Sequence, residues 1–320
     1  MAVDTAARPG TARVPRLQPD LWVGLLRVAG WPAVLALMAA ATIWLILSGH
    51  IVLAVMGWPG AALAWFAMQQ APWKVPTMKR SDRNLVRVQS EVRPLLVYAL
   101  VYPLLEVPAV LWCLDHPGVS FLAGWSTSPQ LSMSYVVLVK LVMLALPAIL
   151  FARALGSTSR QLGLRKVLQP WRWLAPVPAI VLMVSVIGVL TVGALPRLPP
   201  PLWLALVAVG LLHAGFPEEV FYRVLLQTRL ELLLGSRSGV AVASLLFGWR
   251  HLPPRLFFLW LPATGSVGYG LLLTAATVLS YHVLIGMVFG YMWVRYRNAW
   301  ANIAGHTLFD VVAFLGLVNA

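Results

Sequence analysis

Long apolar runs separated by short polar breaks set the pattern of this 320-residue chain. Apolar stretches recur near 28–48, 51–69, 94–112, 131–152, 174–193 and 201–216, and a more broken C-terminal third comes after them with runs near 239–262, 269–294 and 299–317. Each approaches the roughly 20 residues that carry an α-helix across the hydrocarbon core of a bilayer. Inside lipid the backbone has no water to bond with, so only helices and closed barrels cross. Barrel strands would alternate apolar and polar side chains, whereas these runs are continuous. The pattern therefore predicts an all-α fold, a polytopic transmembrane helical bundle of about eight spans. Gly49 and His50 make a very tight break between the first two runs, which read either as two spans or as one span with an interfacial piece. The total is eight or nine.

Composition agrees: 60% of residues are hydrophobic and 11% charged, against about 25% charged in a soluble domain. A net charge of +14 would suit nucleic acid, but the Lys and Arg residues sit in short segments between apolar runs and no nucleic-acid motif occurs. The anionic bilayer surface is the expected partner, and nucleic acid is not. Segment 71–93 holds Lys74, Lys79, Arg80, Arg83, Arg87 and Arg93, segment 153–172 holds Arg153, Arg160, Arg165, Lys166 and Arg172, and segment 113–130 has no Lys or Arg. Because basic loops prefer the cytoplasm, counting from a cytoplasmic N-terminus puts both basic loops inside, with Arg295 and Arg297, and Glu218 near the cytoplasmic end of the sixth span. The expectation is a multi-pass protein of the plasma (inner) membrane. Residues 1–20 carry Arg8, Arg13 and Arg16 and lead into a long apolar segment without a convincing cleavage site, so they read as a cytoplasmic tail and not a signal peptide. Residues 21–200 read as a membrane-spanning scaffold and 201–320 as the catalytic membrane region, with prolines at 196, 199, 200 and 201 marking an external turn between them. A single cysteine, Cys113, allows no internal disulfide, and no Cys/His cluster has structural zinc spacing.

The candidate chemistry lies in three short motifs: Glu218-Glu219-Val220-Phe221-Tyr222-Arg223, Phe247-Gly248-Trp249-Arg250-His251 and His306-Thr307-Leu308-Phe309-Asp310. On a helix, residues four apart share a face, so Glu219 is expected to pair with Arg223 and His306 to sit over Asp310, with Asn302 one turn earlier on the same stripe. Glu218 is turned about 100° from Glu219 on a 3.6-residue turn, so the two carboxylates should do different work. A charge at mid-membrane costs roughly 2.5–3.5 kcal/mol on insertion scales, and such groups pair or face a water-filled cavity. Glu219 and Arg223 offset each other as an ion pair, leaving Glu218 without a local partner. A desolvated carboxylate beside a like charge is a competent general base. His251 is placed to share the water that Glu218 activates, and His306 with Asp310 to orient donors toward an oxyanion. A polar intramembrane cavity is then required inside the bundle.

These residues resemble the glutamate-type intramembrane proteases, the family that includes type II CAAX prenyl endopeptidases and bacteriocin-processing and immunity proteins. That family's motifs, Glu-Glu-x-x-x-Arg, Phe-x-x-x-His and His-x-x-x-Asn/Asp on successive helices, are matched in order by EEVFYR, FGWRH and HTLFD over roughly residues 214–312. The resemblance implies an eight-helix fold with a conical cavity, in which Glu218 and His251 hold the attacking water, His306 and Asp310 form the oxyanion site, and Glu219 and Arg223 support them. It implies no cofactor and a membrane-associated protein or peptide as substrate. Two positions depart: Val224 stands where many members have glycine, and Asp310 replaces the amide of the prenyl endopeptidases. A carboxylate donates to an oxyanion only when protonated, so Asp310 reads better as an orienter of His306.

Plainer roles compete for several residues. His213 and His282 read as helix-to-helix hydrogen-bonders, Phe247 and Trp249 as packing residues, and Arg250 and Arg255 either as solvated at a cavity rim or as attracting an acidic substrate terminus. His-Glu-x-x-His and Gly-x-Ser-x-Gly are absent. A zinc-dependent protease survives as an alternative only with Glu218, His251 and His306 drawn from separate helices. The rival from another class is a non-enzymatic scaffold or an immunity-type binding protein.

Overall fold

The computed structural model describes residues 21–70, 85–115, 137–157, 162–164, 200–257 and 261–318. The tail at 1–20, the expected span at 174–193, most of the two basic loops and the bare loop beyond Asp115 lie outside the described residues. Everything else is helical or turn, with no strand among the described residues. Helices α1 (Leu21–Leu47), α2 (Ile51–Val55), α3 (Trp58–Gln70) and α4 (Leu85–Asp115) come first. A π-helical turn, Leu141–Ala145, then runs into α5 (Leu146–Ala154). Pro200 opens α6 (Pro200–Gly210), where its missing N–H costs nothing. The chain continues through the π-turn Leu211–Gly215, α7 (Phe216–Glu218), the π-segment Glu219–Gln227 and α8 (Thr228–Leu234). After Gly235 come α9 (Ser236–Arg255), α10 (Leu261–Thr264), α11 (Val267–Thr277), the π-turn Val278–His282, α12 (Val283–Tyr296) and α13 (Ala299–Val318).

Among the described residues, six stretches are long and apolar enough to cross a membrane: Trp22–Leu47, Ile51–Gln69, Arg87–Trp112, Val137–Ala154, Trp203–Leu234 and Val267–Tyr296. Helices α9 and α13, of 20 residues each, add two more of spanning length, in keeping with a bundle of about eight. The break at Gly49 is real: its φ of +84° lies in the left-handed region that glycine tolerates, and α2 folds back against α1. Large apolar side chains such as Leu25, Val28, Leu47, Phe66, Val97 and Leu204 are more than half exposed, as lipid-facing positions should be.

Two spans are longer than hydropathy predicts. Helix α4 begins within the segment assigned to a basic loop, because Arg87 pairs with Glu91 one turn on at 3.0 Å and Glu91 is also held by Arg229 at 3.2 Å. The sixth span does not end at 216. Its helical path runs on to Leu234, which places Glu218 near the middle of a 32-residue stretch rather than at its end. The polar residues that stop the hydropathy signal are good helix formers, so composition changes there while the helix does not.

Helix α9, which carries the FGWRH motif, is the hub: it packs against α1, α4, α8 and α12. Its own sequence permits this, since Ser238, Gly239, Ala241, Ala243, Ser244 and Gly248 let neighbouring backbones approach closely, the usual device for helix packing in lipid. A Cβ at Gly239 would lie 2.7 Å from the Glu231 backbone, which has no side-chain freedom with which to yield. Gly239→Ala should therefore destabilise the bundle by about 1–3 kcal/mol. A lowered thermal unfolding midpoint in detergent checks this; an unchanged midpoint would contradict the packing described.

Candidate active site

Adjacent residues Glu218 and Glu219 are both buried, at 1% and 0% exposure, and point in different directions. Glu218 lines a cavity of about 300 Å³, whereas Glu219 is not part of its wall. The wall is completed by Glu106 from α4, His213 from the π-turn before α7, Arg250, His251 and Arg255 from α9, His282 from the π-turn before α12, and His306 and Asp310 from α13. All four residues expected to act chemically, Glu218, His251, His306 and Asp310, thus meet at one cavity.

Glu219 lies behind that wall and holds it. Its Oε1 accepts from His306 Nδ1 at 2.7 Å, and its Oε2 accepts from Asn302 Nδ2 at 2.9 Å. Asn302 Nδ2 also reaches the Phe289 carbonyl at 2.9 Å. The expected pairing with Arg223 exists as an ion pair, Nε to Oε2 at 3.5 Å. It is not a hydrogen bond, because in the π-helical winding of Glu219–Gln227 the bonds run from i to i+5 and residues four apart no longer stack. The Arg223 guanidinium instead lies over the Phe247 ring, 4.8 Å from its centroid. Phe247 is therefore a packing residue with a charge to cover, and it also flanks the His251 and His306 rings.

With Nδ1 committed to Glu219, His306 faces the cavity through Nε2. That nitrogen stands 4.0 Å from Glu218 Oε2 and 3.9 Å from Asp310 Oδ1. Asp310 is near both imidazoles rather than bonded tightly to one, since its Oδ2 is 3.7 Å from His213 Nδ1. His251 Nδ1 lies 2.9 Å from the Phe247 carbonyl, and Nε2 lies 2.9 Å from Arg250 Nη1. Because guanidinium only donates, Nε2 is the acceptor and Nδ1 carries the hydrogen. His282 lies beside His251 with ring centroids 4.4 Å apart and the rings tilted by 33°. Expected to act as helix linkers, His213 and His282 prove to be cavity-wall residues.

Three ionisable groups depart from what motif spacing predicts. Glu106 and Lys140 belong to no motif, and Arg250 is expected at a solvated rim or in contact with substrate. Arg250 is instead buried, at 4% exposure. Its Nη1 is 3.0 Å from Glu218 Oε1 and its Nη2 is 3.2 Å from Glu106 Oε1. Lys140, fully buried, places Nζ 2.5 Å from Glu218 Oε1 and 4.0 Å from Glu106 Oε1. Two carboxylates and two cations form a neutral quartet, the arrangement that makes such burial tolerable. A signal for both exists in the sequence, since Glu106 and Lys140 each stand alone inside an otherwise apolar run.

Four π-helical segments, Leu141–Ala145, Leu211–Gly215, Glu219–Gln227 and Val278–His282, border this site. Lys140 precedes the first, His213 lies in the second, Glu219 and Arg223 in the third, and His282 in the fourth. A π-turn inserts one residue into an α-helix and re-aims the side chains beyond it, which is why such turns collect at functional sites. No group of three His, Cys, Asp or Glu side chains among the described residues is arranged to hold a metal ion.

Residues 199–312 match the sequence model of the family described as Type II CAAX prenyl endopeptidase Rce1-like. No curated protein and no solved structure matches the chain significantly. The resemblance carried by EEVFYR, FGWRH and HTLFD is thus borne out over that segment, which supports a CAAX-type intramembrane protease in general terms, and the long apolar helices support a multi-pass membrane protein.

Removing Arg250 would leave the carboxylates of Glu106 and Glu218 with Lys140 alone. Arg250→Met should cost about 3–5 kcal/mol, the usual penalty for breaking a buried ion pair from one side. Chemical or thermal unfolding in detergent measures it, and a loss below about 1 kcal/mol, the worth of an exposed pair, would contradict the quartet.

Proposed function

We propose that the protein is an intramembrane endopeptidase in which Glu218 is the general base that activates a water molecule against a peptide bond. The observation that carries this reading is the division of the glutamate pair: Glu218 faces the cavity and Glu219 faces away from it. Glu218 Oε1 is occupied by cations, but Oε2 has no hydrogen-bond partner among the described residues. Its 4.0 Å separation from His306 Nε2 is a span that one water molecule bridges.

In the proposed reaction Oε2 takes a proton from water as the water oxygen bonds to the carbonyl carbon. The carbonyl oxygen becomes an oxyanion on the side of His306 and Asp310. When the tetrahedral intermediate collapses, the C–N bond breaks and the proton held by Glu218 passes to the leaving amine, restoring the carboxylate. His251 shares the water by exchanging it for Arg250 as the donor at Nε2. Asp310 acts through the two imidazoles beside it, and Glu219, Asn302 and Arg223 hold His306 and Phe247 in place. The substrate is a membrane-associated protein or peptide that reaches the cavity from within the bilayer. A cytoplasmic N-terminus and residence in the plasma (inner) membrane complete the proposal, on the distribution of basic residues.

A second reading, a non-enzymatic scaffold or immunity-type binding protein, draws support from the charge balance of Glu106, Lys140, Glu218 and Arg250, which is what a packing device needs. Glu218→Gln separates the two, since it keeps volume and hydrogen bonding but removes the base. We expect Glu218→Gln and His251→Ala to insert and fold, Glu218→Gln with a lowered unfolding midpoint because Lys140 and Arg250 lose a counter-ion, while processing of membrane-protein termini falls at least 100-fold, within the 10²–10⁴ range of general-base catalysis. Comparing terminal peptides of membrane proteomes carrying each variant measures this, and undiminished processing by well-folded Glu218→Gln would refute the reading. Activity should also survive exhaustive chelation; its loss, with recovery on adding zinc, would favour the zinc alternative through Glu218, His251 and His306.

A further inference from the structure

We propose that Lys140, contributed by the N-terminal half of the chain, is a positioning residue that fixes which oxygen of Glu218 acts. This rests on the reading of Glu218 as the base. A free carboxylate presents two equivalent oxygens and turns about its terminal bond, so a base that must meet a water at one point has to have its plane fixed. Two cations meet on one oxygen here: Lys140 Nζ at 2.5 Å and Arg250 Nη1 at 3.0 Å, both on Oε1. The other oxygen, Oε2, is left toward His306.

Of the two cations, Lys140 is the one devoted to Glu218. Arg250 divides its guanidinium among Glu218, Glu106 and His251, whereas Lys140 lies nearer to Glu218 than to Glu106 (2.5 against 4.0 Å). The ammonium does not line the cavity, so it is reached through Glu218 and does not itself meet substrate. Its backbone setting brings it there. Lys140 stands immediately before the π-turn Leu141–Ala145, and that turn packs on α7, whose last residue is Glu218. Glu106 neutralises the remaining charge: its carboxylate takes the second Arg250 nitrogen and stands by the ammonium. The base is therefore assembled from both halves of the chain.

Lys140→Met and Lys140→Gln remove the same charge, but only glutamine keeps a hydrogen-bond donor near Oε1. The double variant Lys140→Met/Glu106→Gln removes one charge of each sign and carries the test should the single variants fail to fold. Cleavage is read on a fluorescence-quenched farnesylated C-terminal peptide with the full-length protein in detergent micelles. The Glu218 band is read separately, as the carboxyl or carboxylate signal lost from the infrared spectrum in Glu218→Gln. We expect Lys140→Met to lower kcat by about 100-fold, at the low end of what a positioned base supplies, with KM within about twofold of wild type. Lys140→Gln should retain at least about tenfold more kcat than Lys140→Met, and the Glu218 band should shift in both. Equal kcat for the two single variants, or a pH–rate profile and band identical to wild type in folded protein, would overturn the proposal. If Glu218→Gln still cuts the peptide, the reading of Glu218 as base fails instead, and if wild type leaves it uncut, a farnesylated terminus is not the substrate. The infrared band, which needs no turnover, then still decides whether Lys140 sets the state of Glu218: an unmoved band overturns it.

Discussion

Arg250 lies within hydrogen-bond distance of carboxylates from α4 and α7 and of the imidazole next to it in sequence, and the bundle is organised around the cost of leaving any of them unpaired. A lone ion taken from water into the protein interior loses several kcal/mol even after relaxation. The sum of helix-packing contacts does not offset that loss for four ions, so the charges must cancel among themselves. They do so only if α4, the π-turn before α5, α7 and α9 come together in one arrangement. The quartet Glu106, Lys140, Glu218 and Arg250 is in this sense a register mark: slide any one helix by a turn, about 5.4 Å, and a buried charge loses its partner. Apolar contacts in lipid lack such specificity, because lipid tails are as apolar as leucine.

The same constraint explains the unequal fates of two neighbouring glutamates. Glu219 is enclosed by donors of modest or delocalised charge, the Asn302 amide, the His306 imidazole and an arginine set against an aromatic face. Every bond it makes also positions something else. Glu218 meets two cations on one oxygen and leaves the other toward a cavity. A regular α-helix would separate the pair by about 100°; the change to π winding at Glu219 widens the turn and takes Arg223 out of hydrogen-bond alignment. A longer Arg223–Glu219 pair thus accompanies the turning of Glu218 toward the cavity, in keeping with the collection of π-turns at functional sites.

Much of this is legible in the sequence. Hydropathy alone yields the helical bundle, the tight turn at Gly49 and most span positions, because lipid imposes a length and an apolar composition that no soluble context imitates. Spacing on three motifs is enough to bring Glu218, His251, His306 and Asp310 to one cavity, and to separate Glu219 from Glu218. The extension of the sixth span to Leu234 is hidden because its polar second half is helical without being apolar. The approach of His306 to Glu219 and of Arg250 to Glu106 is hidden for a different reason. These partners lie 87 and 144 residues apart, and no local periodicity encodes which helix lies beside which. Glu106 and Lys140 are visible as isolated charges in apolar runs, and the same insertion cost that singles out Glu218 applies to them equally.

For the base proposed in Glu218, burial beside two cations raises a difficulty that the geometry itself answers. If both oxygens of Glu218 were held by cations, the carboxylate would be too well satisfied to accept a proton; if neither were, the charge would not survive burial. Pairing one oxygen and not the other meets both demands, since the ion is stabilised through Oε1 while Oε2 keeps its lone pairs for water. The neutral quartet also means that proton transfer to Glu218 leaves the site with one uncancelled positive charge, shared between Lys140 and Arg250. In the proposed reaction that charge forms as the oxyanion forms on the substrate. An arrangement that only stabilised the resting fold would gain nothing from this coincidence, whereas one that hydrolyses an amide lowers its barrier by it.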